Sequence, residues 1–213
     1  MDQNQKIFEE FEVPDPIRIT KAIRFIKKYK GKLNGLTLLE CGVAKGGVAD
    51  RLKDGNDCFG IDINPRDLRG IKIKQADLNK EFPSWGVKFD VVFAGEVIEH
   101  LLDDVRFIKE CKENLKDDGL LILTTPNLVF GVNRILMLLG RMPMFAFAPY
   151  HYRIYNKKVL EGVVLAGGLR MVDLTSSHIL FSTRRNKFGR IFEILGDFFP
   201  SIGAHLIICA KKS

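Results

Sequence analysis

Three groups of residues in this chain combine types and spacings that could do chemistry. The first is a glycine-rich turn, Gly42-Val43-Ala44-Lys45-Gly46-Gly47, placed directly after the apolar run Leu38-Leu39-Glu40-Cys41. Glycine lets the main chain turn sharply and pass close to a ligand, and a helix starting just beyond would offer unpaired N–H groups. The second is a pair of acids, Asp62 and Asp77, each near the end of a short apolar run, with Asp62 twenty residues past Gly42. A carboxylate at that spacing can accept hydrogen bonds from both hydroxyls of a ribose. The third is a pair of histidines, His100 and His151. An imidazole titrates near neutrality and can take a proton from a reacting hydroxyl or amine. Each group also has a plainer explanation. Asp62 and Asp77 could cap strand ends, His100 could pack beside Glu96 four residues earlier on one helix, and His151 could contact the N-terminus of the following helix.

The turn itself separates two kinds of adenosine cofactor. As G-x-G-x-x-G, Gly42–Gly47 is a dinucleotide fingerprint with Ala44 in place of the middle glycine, whose role is to let the main chain approach a pyrophosphate. A Cβ there hinders a dinucleotide more than a phosphate-free adenosyl cofactor. Glu40, two residues before the first glycine, can orient the loop and attract a positively charged ligand.

The surrounding elements have to bring these residues together. Apolar spacing predicts a helix over 17–30, strands over 36–41, 57–61, 71–75, 89–94 and 119–125, and helices over 46–53 and 103–115. Strands alternating with helices predict a parallel sheet covered on both faces. Further on, a helix over 155–166 ends at Gly167-Gly168, a strand runs over 169–174, a helix over 188–199 and a last strand over 204–210. No repeat or linker interrupts the 213 residues, so one domain is expected over 1–213. Within it, residues 128–150 are apolar, aromatic and methionine-rich, with Arg134 and Arg141 among them. This segment reads as a hydrophobic insertion: a pair of helices covering its own side chains, a lid over an apolar ligand, or a patch that touches a membrane surface.

The motifs, in order and spacing, resemble the class I S-adenosylmethionine-dependent methyltransferase family over most of the chain. Leu39–Gly46 is similar to the first motif of that family, Gly60-Ile61-Asp62-Ile63 to the second and Gln75-Ala76-Asp77-Leu78 to the third. Phe89–Leu101 resembles the fourth strand and its sequel in the subgroup acting on small molecules and lipid-soluble precursors, and Leu115–Asn127 resembles the fifth strand with its preceding turn. The resemblance implies an α/β fold, a Rossmann-like seven-stranded sheet, mostly parallel with an antiparallel last strand and helices on both faces. It implies S-adenosylmethionine as methyl donor and S-adenosylhomocysteine as product. Cofactor contacts are implied for Glu40, Gly42, Ala44, Gly46, Asp62, Ile63, Asp77, Leu78, Ala94 and Glu96, with Asp77 reaching the adenine amino group. His151-Tyr152-Arg153-Ile154-Tyr155 is similar to a His-x-Arg-x-Tyr/Phe element before the late helix, which makes His151, with His100, a candidate catalytic base. The expected reaction is methyl transfer to an O or N of a small-molecule or lipid-linked acceptor. A non-catalytic partner protein of the same fold and an NAD(P)-dependent oxidoreductase are the alternatives.

Composition narrows the partners. The net charge is +7, but the basic residues are spread along the chain and no RNA-binding module is visible, so a nucleic-acid partner is disfavoured. Gly95-Glu96-Val97-Ile98 stands where amino-methylating enzymes of adenine or glutamine carry Asn/Asp-Pro-Pro-Tyr/Phe, and no cysteine follows strand four or five as cytosine C5 chemistry needs. The four cysteines are scattered, with no C-x-x-C pair, so no metal site is expected. With no signal peptide in Met1–Glu12 and no membrane-length apolar stretch, a cytoplasmic location is expected, with peripheral membrane contact still open.

Overall fold

The computed structural model describes residues 16–44, 46–144, 150–180 and 187–212. Met1–Glu12, Lys45, residues 145–149 and the Arg184–Arg185 pair therefore lie outside the described residues. Among the described residues, seven strands form one sheet: β1 (Thr37–Cys41), β2 (Asp57–Asp62), β3 (Ile71–Gln75), β4 (Phe89–Gly95), β5 (Leu115–Pro126), β6 (Leu169–Ser176) and β7 (His205–Lys212). Their order is β3-β2-β1-β4-β5-β7-β6. The first five pair in parallel, and β7 lies antiparallel between β5 and β6. This is the expected mostly parallel sheet with its antiparallel last strand.

Because β1 lies between β2 and β4, the chain order reverses there. In parallel sheets ligands bind at such a switch point, outside the carboxyl ends of the strands. Cys41 is in register with both Ile61 and Ala94, so the loops after β1, β2 and β4 leave the sheet side by side.

Both faces are covered, and alternate residues of each strand serve opposite faces. Leu39, Cys41, Val92 and Leu121 pack with Phe107, Ile108 and Cys111 of α3 (Asp104–Asn114) and with Leu160 and Val164 of α5 (Lys157–Ala166). Leu38, Val91, Phe93 and Ile122 pack with Ala22, Phe25 and Ile26 of α1 (Pro16–Lys30) and with Val48 and Ala49 of α2 (Val48–Leu52). Asp103 caps α3 by accepting from Arg106 N, and Asn156 caps α5 by accepting from Val159 N. The cap at Asn156 explains why this helix starts at Lys157 rather than at Tyr155. The four cysteines are free and buried.

Two expectations change. The turn Lys116–Gly119 lies within β5, at a bulge where the register slips between Phe89↔Leu115 and Val91↔Leu120. Residues 128–144 contain one helix, α4 (Gly131–Leu138), rather than a helical pair. Buried Asn133 closes this segment, donating to Leu128 O at 3.0 Å and accepting from Met144 N at 2.8 Å. Leu138 is 86% exposed and Leu139 and Met142 are also exposed, so the segment does not cover its own hydrophobes among the described residues.

α1 and α6 (Lys187–Phe198) are tied together through buried Lys21, which donates to Ser176 O, Glu193 O and Asp197 Oδ1 at 2.6–2.9 Å. At the opposite edge from the ligand loops, Asp90 accepts from Thr37 N and Lys116 Nζ, each at 2.8 Å, with Lys30 Nζ at 3.6 Å. Burial alone would raise the Asp90 carboxyl, but these partners outweigh it and hold the group below its ordinary value. A depressed carboxyl stabilises the fold above its unfolded pKa and ceases to do so as pH falls through its folded pKa. Asp90→Asn should therefore cost about 1–3 kcal/mol at pH 7 in urea unfolding, and its difference from the parent should shrink in acid.

Candidate active site

The turn after β1 bends by left-handed backbone at three positions: Gly42 (φ 72°), Ala44 (φ 43°) and Gly46 (φ 99°). Ala44 is the only one of the three with a Cβ, and its conformation is one that L-residues disfavour. It is held there because Ala44 N donates to Asp62 Oδ2 at 2.8 Å. Gly42 N and Val43 N both donate to Ile61 O, at 2.8 and 3.2 Å, which stitches the turn to the end of β2. A Cβ on Gly42 would stand 2.5 Å from Val97 Cγ2, so the turn and the loop after β4 are in close contact.

Glu40 lies beneath the turn, 3% exposed. It accepts from Val48 N at 3.3 Å and from Ala49 N at 2.7 Å, capping a helix whose N-cap residue, Gly47, has no side chain to do so. A Cβ on Gly47 would come within 2.0 Å of Glu40 Oε1, so this glycine is required by the carboxylate. Burial pushes the Glu40 carboxyl up to about 8 against the pull of the two N–H bonds. Glu40 thus positions the turn from below.

Asp62 ends β2 and Asp77 lies two residues past the end of the neighbouring β3, with Ala76 N donating to Asp62 O at 3.0 Å. The Asp62 carboxylate accepts from Ala44 N and Asn64 N, and that of Asp77 from Asn79 N, with Lys80 Nζ at 3.5 Å. Two carboxylate oxygens offer about four acceptor sites, so both acids keep capacity for a ligand's donors. Ile63 is 57% exposed beside Asp62, and Leu78 is half-buried beside Asp77. Ala94, by contrast, is fully buried inside β4, which leaves Gly95 and Glu96 as the next residues at the cleft. Asn79 went unnoticed in the sequence: its side chain accepts from Leu102 N at 2.8 Å and donates to His100 O at 3.2 Å, joining the Asp77 turn to the histidine segment.

Beyond β4, Glu96 has φ 55° and only Ile98–His100 form a 3-10 turn, so Glu96 and His100 do not share a helix as their spacing suggested. Glu96 pairs with Arg18 of α1 at 2.7 Å, accepts from Thr124 Oγ1 at 2.9 Å and has His205 Nε2 at 3.7 Å. Burial alone would raise its carboxyl, but Arg18, His205 and Thr124 outweigh it and hold it below the usual range. Glu99, 1% exposed, accepts from Thr125 Oγ1 at 3.0 Å. Burial, with Glu96 nearby, pushes Glu99 well above that range. One acid is thus held ionised beside one that favours its proton, a separation typical of sites that move protons.

His100 and His151 meet edge to face, ring centroids 4.7 Å apart. His100 Nδ1 lies 3.0 Å from the carbonyl of Tyr150, a residue with φ 68°. Burial lowers the His100 pKa, and His151 adds to the effect. Tyr152 N and Arg153 N donate to Glu99 O, which folds the His151 segment onto the 3-10 turn. Tyr155, expected as the end of that element, is buried and donates to Asp104 Oδ2 at 2.8 Å. A small cleft opens here, with Glu99, Thr125, Asn127, His151 and Arg153 among its walls. The two histidines are together, in the segments that follow β4 and precede α5.

A family described as a methyltransferase domain matches residues 15–174, three quarters of the chain. The chain belongs to this methyltransferase-domain family, and its sheet is that of the class I S-adenosylmethionine-dependent methyltransferases. It is 36% identical over 98 residues to a probable S-adenosylmethionine-dependent methyltransferase of Mycobacterium tuberculosis, covering 46% of this chain and 32% of that one. It is 32% identical over 104 residues to the ubiquinone biosynthesis O-methyltransferase of Cereibacter sphaeroides, covering 44% and 42%. Its matches thus span less than half the length of these relatives. In fold it is similar to the Burkholderia thailandensis 1,6-didemethyltoxoflavin-N1-methyltransferase bound to 1,6-didemethyltoxoflavin and S-adenosylhomocysteine (TM-score 0.63, 12% identity, 93% of this chain and 80% of that one).

Glu40 gives a test of the turn. A carboxyl raised on folding makes the folded state lose stability as pH climbs from the unfolded pKa to the folded one. Between pH 5 and 8 the parent's urea midpoint should fall relative to that of Glu40→Gln. Parallel profiles would mean that Glu40 stays ionised throughout.

Proposed function

We propose that the chain is an S-adenosylmethionine-dependent methyltransferase acting on an O or N of a small-molecule or lipid-linked acceptor. The observation that carries the donor half is the Asp62 carboxylate, fixed by Ala44 N and Asn64 N at the switch point of the sheet. From there it can receive both ribose hydroxyls. Asp77 receives the adenine amino group, exposed Ile63 covers the adenine face, and the left-handed turn at Gly42, Ala44 and Gly46 brings main chain against the amino-acid end. Glu40 supports this contact by holding the turn, and Glu96 supplies negative charge at the cleft. When bound, S-adenosylmethionine supplies a methyl carbon already activated by a positive sulfur. The protein's task is then alignment and removal of the acceptor's proton.

That proton is assigned to His100 or His151, which adjoin the cleft. An apolar acceptor is favoured by the exposed flank of Leu138, Leu139 and Met142 beside Arg134 and Arg141. The same flank suits peripheral contact with a membrane, and no helix among the described residues is long and apolar enough to cross one. The Cereibacter relative is named for ubiquinone biosynthesis and the Burkholderia neighbour holds a small heteroaromatic with S-adenosylhomocysteine, which agree with this class.

Calorimetric titration with S-adenosylhomocysteine should give one site per chain, absent with NAD(H), and Asp62→Ala should weaken it at least tenfold, about 1.4 kcal/mol. With a metabolite extract, the parent should release S-adenosylhomocysteine and yield a product heavier by one methylene in mass spectrometry. His100→Ala and His151→Ala should bind S-adenosylhomocysteine as the parent does but lose turnover. Full activity in both would remove the histidines from the mechanism.

A further inference from the structure

The geometry points to a divalent transition-metal site formed by Glu99, His100 and His151. These residues come from two segments, the 3-10 turn after β4 and the strand-like stretch before α5, and each offers a ligand atom within 4.8 Å of the other two. Tetrahedral zinc bonds of 2.0–2.1 Å require neighbouring ligand atoms about 3.3 Å apart, so closing on a cation needs only side-chain adjustments.

Two features separate this cluster from a chance meeting of polar groups. Glu99 Oε1 is buried and has no hydrogen-bond partner among the described residues, although its sister oxygen is held by Thr125 Oγ1. An acid oxygen left without a partner in the interior is costly, and a cation, displacing the proton that burial favours, would satisfy it. His100 Nδ1 faces the carbonyl of Tyr150 at 3.0 Å. A carbonyl can only accept, so Nδ1 carries the hydrogen and Nε2 presents its lone pair. This is the outer-shell arrangement that orients metal-binding imidazoles.

Two imidazoles and one carboxylate select zinc-like or iron-like cations over magnesium, which prefers oxygen and water. Three protein ligands leave a fourth position open, here toward the cleft bounded by Thr125, Asn127, Arg153 and Ile154. This inference rests on the proposed function only in placing the acceptor in that cleft. There a cation would lower the pKa of an acceptor hydroxyl, the task otherwise left to the two imidazoles. The sequence concealed the set because its members are separated by about fifty residues and lie outside any metal-ligand spacing.

The test uses the full chain, stripped with a chelator and dialysed, then titrated with Co2+ and with Zn2+ alone. One equivalent of each should bind, and Co2+ should show the visible absorption of a four- or five-coordinate site with nitrogen ligands. His151→Ala and Glu99→Gln should each raise the Kd for Zn2+ at least tenfold. His151 lies in a partly exposed segment, so its variant stays informative where Glu99→Gln fails to fold. Absence of stoichiometric binding, or an unchanged Kd in folded His151→Ala, would overturn the site. S-adenosylhomocysteine titration of the same samples keeps the two readings apart. Cofactor binding without metal binding sinks the metal site alone, and metal binding without cofactor binding sinks the methyltransferase reading alone.

Discussion

Glu40 sits where three demands meet: ending β1, starting α2 and leaving a turn open enough for a ligand. α2 has five residues and gains little from its own hydrogen bonds, since a helix that short has barely repaid its nucleation. Its first N–H groups therefore need partners from outside, and Gly47 has no side chain to offer. The Glu40 carboxylate, rising from the strand, meets that need at Val48 N and Ala49 N. The consequence runs outward. With Glu40 filling the space beside Gly47, the chain between them is forced above the sheet edge through three left-handed residues. That path aims Ala44 N at Asp62, so the position of this carboxylate is inherited from a buried contact on the other side of the turn.

A second constraint organises the far side of the cleft. Glu96 is held ionised by Arg18, from a helix that precedes the sheet, and by His205, from the last strand. The site therefore closes only when both ends of the described chain have docked. Lys21 helps to secure this, since its three bonds to β6 and α6 keep α1 in place one turn beyond Arg18. Removing this buried lysine would take a donor from Ser176 O, Glu193 O and Asp197 Oδ1, so the seating of α1 and the charge state of Glu96 are coupled through a few side chains.

The parts legible in the sequence are those governed by local pattern. Parallel strands buried on both faces read as apolar runs, and β1, β2 and β4 fall within a residue or so of where those runs place them, while β3 at the sheet edge shows in the alternation of Ile71 and Ile73 with Lys72 and Lys74. Asp62 was legible because it ends a strand at a spacing that the βαβ geometry sets, and Asp77 because it follows the next strand by two residues. What pattern cannot express is a contact between distant segments. Nothing local marks Gly47 as the glycine that Glu40 requires, nor Arg18, Thr124 and His205 as partners of one carboxylate. Helical spacing misled at Glu96 and His100, since a left-handed residue after β4 rotates the chain before the 3-10 turn begins. The start of β5 was hidden for a similar reason: Lys116-Asp117-Asp118-Gly119 has turn chemistry, yet the bulge opposite Phe89 absorbs it into the strand.

The two halves of the cleft are built from different material. At the donor end the contacts are mostly main chain: Gly42 N, Val43 N and Ala44 N bond to the end of β2, and the side chains that matter are acids at strand ends. Such a surface is dictated by the fold. At the acceptor end the walls are side chains from β5, from the segment around Asn133 and from residues 150–155, joined by Asn79, Asn133 and the bonds to Glu99 O. These segments are tied at a few points and leave α4 with an exposed apolar face. Substitutions there can reshape the cleft without disturbing the sheet, whereas a Cβ at Gly47 displaces the carboxylate that sets the turn. In the proposed function, selectivity for the acceptor falls to the described residues of 128–144 and 150–155, and the sheet edge assigned to the cofactor constrains it only by fixing where the methyl group is presented.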